Sequence, residues 1–420
     1  MRRANKVRRR LDKGEKMKKL TSILLCVALT FGLTTALVGC SSVPREEILK
    51  IYMPGEYIDE DIFETFKDWY KAETGKNVTV EMKPFEAVED IQREVEVSKE
   101  DYDLLCPSDY MVEYLIKKGL VQKYDASVID VKAAGLFKGE YVESTREFDP
   151  TLEYAVPYMY GTLGIVYDIT KTGKRITGWE SLFGSEFSGK RSVKDSMRDA
   201  YAAACIYNAR NELSGLTGSA QKNAVQALFE DTSAATVKAA GDTLKAIKSG
   251  SVWDVDNVKF EMAANNSNVA VALMWSCDAG YVMNDYEDDQ GNEKEGNRNL
   301  WYVVPEEGGN VYIDAFVISK YAVNVQAANY FLKFLCTTDI AVQNSEYAGC
   351  ISPVAAAYDE LYDYYDTDED GLFEDTATGW KEMFMETMFP SAETLNRCGV
   401  MKDFGDGQAA VTEMWSNIKV

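Results

Sequence analysis

The sequence predicts an α/β fold: a mostly parallel, doubly wound sheet flanked by helices and shared between two lobes. Three observations carry the prediction. Apolar runs of period two alternate with stretches of helical spacing between residues 48 and 106, the pattern of a parallel sheet wrapped by helices. A long aromatic segment punctuated by glycine, 154–167, reads as extended chain crossing between lobes, and 301–305 reads as a return crossing. The chain has 420 residues, and with about 150 residues per domain as a guide it should form two or three folding units.

Taken in order, Ile48-Leu49-Lys50-Ile51-Tyr52 is a first strand. Ile62, Phe63, Phe66, Trp69 and Tyr70 then recur at helical spacing, and Gly75 ends that helix. Val78-Thr79-Val80-Glu81-Met82 is a second strand, a helix is expected around 86–98, and 102–106 forms a third strand. Ligands of such sheets gather beyond the carboxyl ends of strands, which marks 54–57 and 107–110 as candidate loops. A second lobe should run to about 300, with helices near 196–211, 219–229 and 234–248 and a strand at 269–275. After the return crossing come a strand at 311–319, an amphipathic helix at 324–337 and a helical chain end, 378–420.

Residues 1–19 hold ten Lys/Arg and two acids, and 20–38 are apolar apart from Thr, Ser and Gly. This is the layout of an export signal. Nineteen such residues would also just span a bilayer. The signal reading is favoured by Leu37-Val38-Gly39-Cys40, followed by Ser41-Ser42, which resembles the bacterial lipobox, where the cysteine is acylated and becomes the mature N-terminus. Residues 1–39 are therefore expected to be a lipoprotein signal peptide, Cys40 the lipidated residue, and 40–47 a tether on the extracytoplasmic side of a membrane.

The chain contains no histidine. That excludes a Ser-His-Asp triad, a Cys-His pair, zincin motifs and histidine pH switches. The formal net charge is −23, and removing residues 1–39 leaves 35 basic against 66 acidic groups, a net of −31. Such an excess repels nucleic acid and anionic substrates and suits a cationic ligand. Six cysteines remain beyond Cys40, at 106, 205, 277, 336, 350 and 398, with no CxxC among them. Their scatter argues against zinc. Disulfides are open on this spacing, with buried free thiols slightly preferred.

One pattern recurs after strands: an aromatic residue beside a carboxylate. Glu56 and Tyr57, Asp109 and Tyr110, Trp275 and Asp278, and Tyr312 and Asp314 are the four cases. An organic ammonium wants this combination. Aromatic faces attract the cation and cover its methylenes, at about 0.5–2 kcal/mol each. A carboxylate adds a charge-assisted hydrogen bond worth about 1.5–3 kcal/mol. A diamine or triamine needs acids at both ends and aromatics between them.

At this point the residues resemble a known family, the polyamine-binding proteins of spermidine/putrescine ABC importers. The resemblance runs through Tyr52-x-x-x-Glu56-Tyr57, Tyr102-Asp103-Leu104-x-x-Pro107-Ser108-x-Tyr110 and Val156-Pro157-Tyr158-x-x-Gly161-Thr162-x-Gly164-Ile165. It continues through Asp195-Ser196-x-Arg198-Asp199, Met274-Trp275-Ser276-x-Asp278, Pro305-x-Glu307-Gly308, Gln343 with Tyr347-x-Gly349, Ser352-Pro353 and Pro390-x-Ala392-Glu393-Thr394. The order of the pieces along nearly all of 48–420 is the signal, since no single piece is diagnostic.

The resemblance implies a two-lobed periplasmic-binding-protein fold of type II, hinged by crossing strands. Lobe 1 would comprise 48–157 and 303–345, and lobe 2 would comprise 158–302 and 346–420. It implies ligand contacts from Glu56, Tyr57, Ser108, Tyr110, Asp195, Asp199, Trp253, Trp275, Asp278, Tyr312 and Gln343. Tyr110 would pack on ligand methylenes, and Arg198 would orient Asp195 and Asp199. The expected partners are a polyamine and the permease subunits of an ABC transporter, with the membrane reached through the lipid anchor. Neither nucleic acid, a cofactor nor catalysis is expected, and the receptor should act as a monomer. One departure stands out: Met53-Pro54-Gly55 replaces the family's aromatic step, which leaves the particular polyamine open.

Asp366-Thr367-Asp368-Glu369-Asp370-Gly371 matches the first half of a calcium loop, but position twelve is Ala377, not the bidentate Glu. An acidic surface insertion is the alternative. The rival functions are a receptor of the same fold for an amino acid, a sugar or an iron chelate, a glycosidase using two carboxylates, and a surface lipoprotein without a small ligand.

Overall fold

The computed structural model describes residues 43–85, 87–255, 257–287, 292–368, 371–374 and 376–419. The segment expected as an export signal, Cys40 and Asp370 lie outside these residues. Thirteen strands form among the described residues. They are β1 (Ile48–Pro54), β2 (Thr79–Phe85), β3 (Leu104–Leu105), β4 (Val121–Gln122), β5 (Ala155–Asp168), β6 (Arg191–Lys194) and β7 (Ser251–Asp254). After them come β8 (Val271–Trp275), β9 (Tyr286–Glu287), β10 (Glu293–Lys294), β11 (Leu300–Val303), β12 (Gly309–Ser319) and β13 (Cys398–Gly399).

All but β9 and β10 belong to one mixed sheet in the order β2-β1-β3-β12-β5-β8-β6-β7, with β4 and β13 on β12 and β11 on β5. The parallel pairs at its two ends, β1 with β2 and β3, and β6 with β7 and β8, are the two α/β lobes. Between them β5 and β12 run antiparallel to each other and to their outer neighbours. The sequence pattern predicts a mostly parallel sheet in two lobes with strands crossing between them; the crossing strands pair antiparallel and make up the centre of the sheet. All fourteen residues of β5 are buried, as in a strand covered on both faces. Two glycines allow this packing. A Cβ on Gly161 would run into the Tyr312 hydroxyl, and one on Gly164 into the Val303 carbonyl.

The first helix, Asp61–Thr74, buries Ile62, Phe63, Phe66 and Tyr70 and ends at Gly75 with φ +72°, the left-handed stop that glycine adopts without strain. The segment expected as a helix over 86–98 differs. It is a short turn, Asp90–Gln92, followed by a π-helical stretch, Arg93–Val97. Only Ile91 and Val95 face the core there, while Val97 is 73% exposed. The chain end is also not continuously helical. The helix Trp380–Met388 stops before Pro390, β13 intervenes, and the helix resumes over Gln408–Lys419.

Cys277 and Cys350 form a disulfide with their Cα atoms 4.8 Å apart, which corrects the preference for free thiols. Cys106, Cys205 and Cys398 are buried thiols and Cys336 is half-buried.

Candidate functional site

Most candidate side chains come from the carboxyl end of a strand or from the first turn of the helix behind it. After β1 the chain turns through Glu56, which takes a φ of +54°. Tyr57 then donates its hydroxyl to Oδ2 of Asp314 at 2.7 Å. After β3, Ser108 occupies the N-cap position of the helix Asp109–Lys117 but makes no capping bond. A serine there ordinarily caps the helix; here its hydroxyl donates to Oδ1 of Asp314 at 2.6 Å. Asp314 sits where the pairing of β12 with β5 shifts register, between Asp314 and Ala315. Such a bulge re-aims a side chain. Burial raises the Asp314 carboxyl above its ordinary pKa, against the Ser108 and Tyr57 hydrogen bonds, which lower it.

A second group faces this one. Tyr312 and Asp314 share a face of β12, being two apart on a strand. The Tyr312 ring lies 6.2 Å from that of Trp275, at the end of β8. Asp278 stands in the first turn of the helix Ser276–Met283 and Asp199 in the first turn of the helix Met197–Asn208, positions where the helix dipole favours an anion. Asp199 is 6% exposed, and its Oδ2 has no hydrogen-bond partner among the described residues. Burial pushes its pKa up, against Lys194, Ser196 and Trp275. Burial pushes the Tyr312 hydroxyl up, and the charges of Asp314, Asp278 and Asp199 push it further the same way.

Tyr110 is buried at the edge of this group, its hydroxyl 3.3 Å from Oε1 of Glu89. The Arg198 guanidinium lies 3.7 Å from the centre of the Tyr110 ring and 4.1 Å from that of Phe404. Arg198 donates to the Lys402 carbonyl at 2.9 Å and to Oε1 of Gln408 at 3.0 Å. The face of Tyr110 expected to cover methylenes therefore carries Arg198, and Arg198 bonds elsewhere than to the two acids it was expected to orient.

Four expected residues sit apart. Glu56 is exposed and acts on the half-exposed Tyr347. Asp195 pairs with Lys419. Trp253 packs at 5.8 Å against Trp415, with Lys419 over its ring, so both residues serve the C-terminal helix. Gln343 donates to Oδ2 of Asp59 at 2.7 Å and braces the loop after β1. In the candidate calcium loop, Asp366 pairs with Lys381 at 3.5 Å and Asp368 accepts from the Phe373 amide at 3.1 Å. Among the described residues no group of three His, Cys, Asp or Glu is arranged to hold a metal ion.

Sequence reading missed three members of the site. Asp314 belongs to one of the four aromatic–acid pairs, yet only its partner Tyr312 stands among the expected ligand contacts; the period-two rule would have added it. Lys194, 2% exposed, lies 3.4 Å above the centre of the Trp275 ring and 3.3 Å from Oδ2 of Asp278. Lys259 reaches Oδ1 of Asp278 at 2.6 Å. Burial works to raise the Asp278 carboxyl, but Lys194 and then Lys259 outweigh it and hold the group below its ordinary pKa. Lys194 ends β6, so the strand-end rule pointed to it; no sequence signal pointed to Lys259.

Among the described residues no helix is long and apolar enough to cross a membrane. The chain is 24% identical over 406 residues to the spermidine/putrescine-binding periplasmic protein of Salmonella typhimurium, covering 96% of this chain and 99% of the relative. It is 26% identical over 391 residues to the putrescine/agmatine-binding protein of Pseudomonas aeruginosa, covering 90% and 95%. Its fold is similar to that of a spermidine/putrescine ABC transporter substrate-binding protein from Streptococcus pneumoniae, with a TM-score of 0.64, 24% identity, and coverage of 89% of this chain and 98% of that one. The model of bacterial extracellular solute-binding proteins matches residues 64–373. With its two α/β lobes joined by crossing strands, and with that match covering most of its length, the chain belongs to the family of bacterial extracellular solute-binding proteins.

Proposed function

We propose that this receptor captures a polyamine between its lobes and delivers it to the permease of an ABC importer, without chemistry on the ligand. The observation that carries the reading is the meeting of rings and acids at the strand ends: the Tyr312 ring lies 6.2 Å from that of Trp275, Asp314 stands two residues from Tyr312 on β12 and is held by Tyr57 and Ser108, and Asp278 reaches the Lys194 ammonium that lies over Trp275. Ammonium ends would meet the acids and the methylenes would lie on the rings. Among residues of the first lobe the contacts are Tyr57, Ser108 and Asp314; among those of the second they are Asp199, Trp275 and Asp278. The division proposed is 48–157 with 303–345 against 158–302 with 346–420. Closing would bury the ligand's charges, so it is favoured only by interactions that the open form lacks. Acylation of Cys40 would keep the receptor, as a monomer, on the extracytoplasmic face of the membrane beside its permease.

The names of the relatives support a cationic alkyl ligand. The test is calorimetry on purified protein with putrescine, spermidine, maltose and a panel of amino acids. Binding confined to the amines is the expected result. Saturable binding of maltose or of an amino acid, with none of either amine, would replace the reading with another ligand in the same fold.

A further inference from the structure

The second half of the site already contains an ammonium. Lys194 is buried, lies over Trp275 at 3.4 Å and reaches Asp278 at 3.3 Å. It also donates to the carbonyl of Val255 at 3.0 Å. These are the partners that a ligand's ammonium would seek: an aromatic face, a carboxylate and a neutral acceptor. Lys259 closes on the other oxygen of Asp278 at 2.6 Å. Both oxygens of that carboxylate are held by the protein's own cations.

The charge balance follows. Asp199, Asp278 and Asp314 are three negative charges, and Lys194 and Lys259 are two resident positive ones. Glu89 and Arg198, 3.8 Å apart, offset each other at the edge. Asp199 and Asp314 are the acids without a dedicated lysine. Both are pushed up by burial, whereas Asp278 is held down by its two lysines. A buried carboxylate lacking a paired cation favours one that arrives with the ligand.

We infer that Lys194 is a specificity-determining residue: it fills the middle ammonium position of the site and restricts the ligand to a short alkyl diammonium, at the expense of a triammonium. The inference rests on the polyamine reading and goes further in selecting within that class. A third ammonium would have to displace Lys194 from Trp275 and Asp278, or lie beside it unpaired; either is unfavourable in a water-poor site.

The experiment is calorimetric titration of putrescine and spermidine into the wild-type protein and into Lys194→Met and Lys259→Met, with thermal melts of each unliganded protein. Methionine keeps an apolar stem on Trp275 and removes the charge. Putrescine should bind the wild type at least about tenfold more tightly than spermidine, and Lys194→Met should improve spermidine at least about tenfold relative to putrescine, as expected for one charge-assisted contact made available. Lys259→Met should shift the ratio the same way by less, because it leaves Lys194 over the ring. If Lys194→Met does not melt cooperatively, the wild-type ratio and that of Lys259→Met decide. A wild type that binds spermidine as tightly as putrescine, or a ratio unmoved in the folded variants, overturns the role of Lys194 while leaving the polyamine reading standing. Amine binding that appears only in Lys194→Met overturns the selection of a diammonium, because the native site would then accept neither amine, and overturns the polyamine reading of the native protein with it. Absence of amine binding in all three proteins overturns both.

Discussion

Asp314 is the residue on which the first half of the site turns. Its two oxygens accept from Tyr57 and Ser108 at 2.7 and 2.6 Å, so the carboxylate is aimed before any ligand arrives. The hydroxyls that aim it leave each oxygen with further lone pairs for an ammonium. Asp314→Asn should weaken diamine binding by about 1.5–3 kcal/mol, the worth of a hydrogen bond to a charged group, with little change in melting temperature. Unchanged affinity by calorimetry would remove Asp314 from the site. The aromatic–carboxylate pairing was legible in the sequence because both partners lie close along the chain. The lysines on Asp278 were not, because a lysine in a sequence reads as surface, and only packing shows one with its head beneath an indole. The placement of Asp195 and Trp253 was hidden for a related reason: Lys419 and Trp415, which hold them, are more than 150 residues away in the chain.

At the scale of elements, the one-sided apolar pattern of the helix Asp61–Thr74 and the continuous apolar, aromatic run of β5 were readable from their own residues. What was not readable depends on partners distant in sequence. β13 is two residues long and exists because Gly309 and Asn310 of β12 offer it a ladder. The disulfide is of the same kind. Cys277 and Cys350 are 73 residues apart, and nothing in their spacing pairs them. The bond joins the helix carrying Asp278 to the segment at Ile351, which bridges to Tyr160 of β5. Cys277 also accepts from the Tyr312 hydroxyl at 3.0 Å, so it supports the floor of the site. The double variant Cys277→Ser, Cys350→Ser should lose about 2–5 kcal/mol of stability, as expected for a bond closing a long loop. Chemical denaturation under oxidising conditions measures this, and a loss below about 0.5 kcal/mol would mean that the bond carries no stability.

For the whole molecule, the carboxylates make binding sensitive to acid. Asp199 and Asp314 have folded-state values raised above the ordinary 3.8. Their contribution to the stability of the empty protein is therefore present below 3.8 and lost as pH rises through the raised values. A bound ammonium reverses the preference, because it favours the ionised form. Asp278, whose value is lowered, contributes stability above 3.8 that disappears as pH falls through its folded value. Amine affinity should thus decline on acidification beginning above pH 3.8, while the amines remain fully protonated, and binding near that range should release protons. Titrations in two buffers of different ionisation enthalpy would show the release; an affinity flat down to acid unfolding would mean that neither acid meets the ligand. The lacing of the sheet has a different consequence. β13, near residue 398, pairs with β12, and β12 pairs in turn with β3, β4 and β5. Among the described residues the sheet is complete only when its last strand is available, and so many distant pairings make for slow folding. β12 lies between β3 and β5 and is the strand through which the two ends of the sheet are joined, so in a chain made amino end first the halves cannot knit together before residues 309–319 are available.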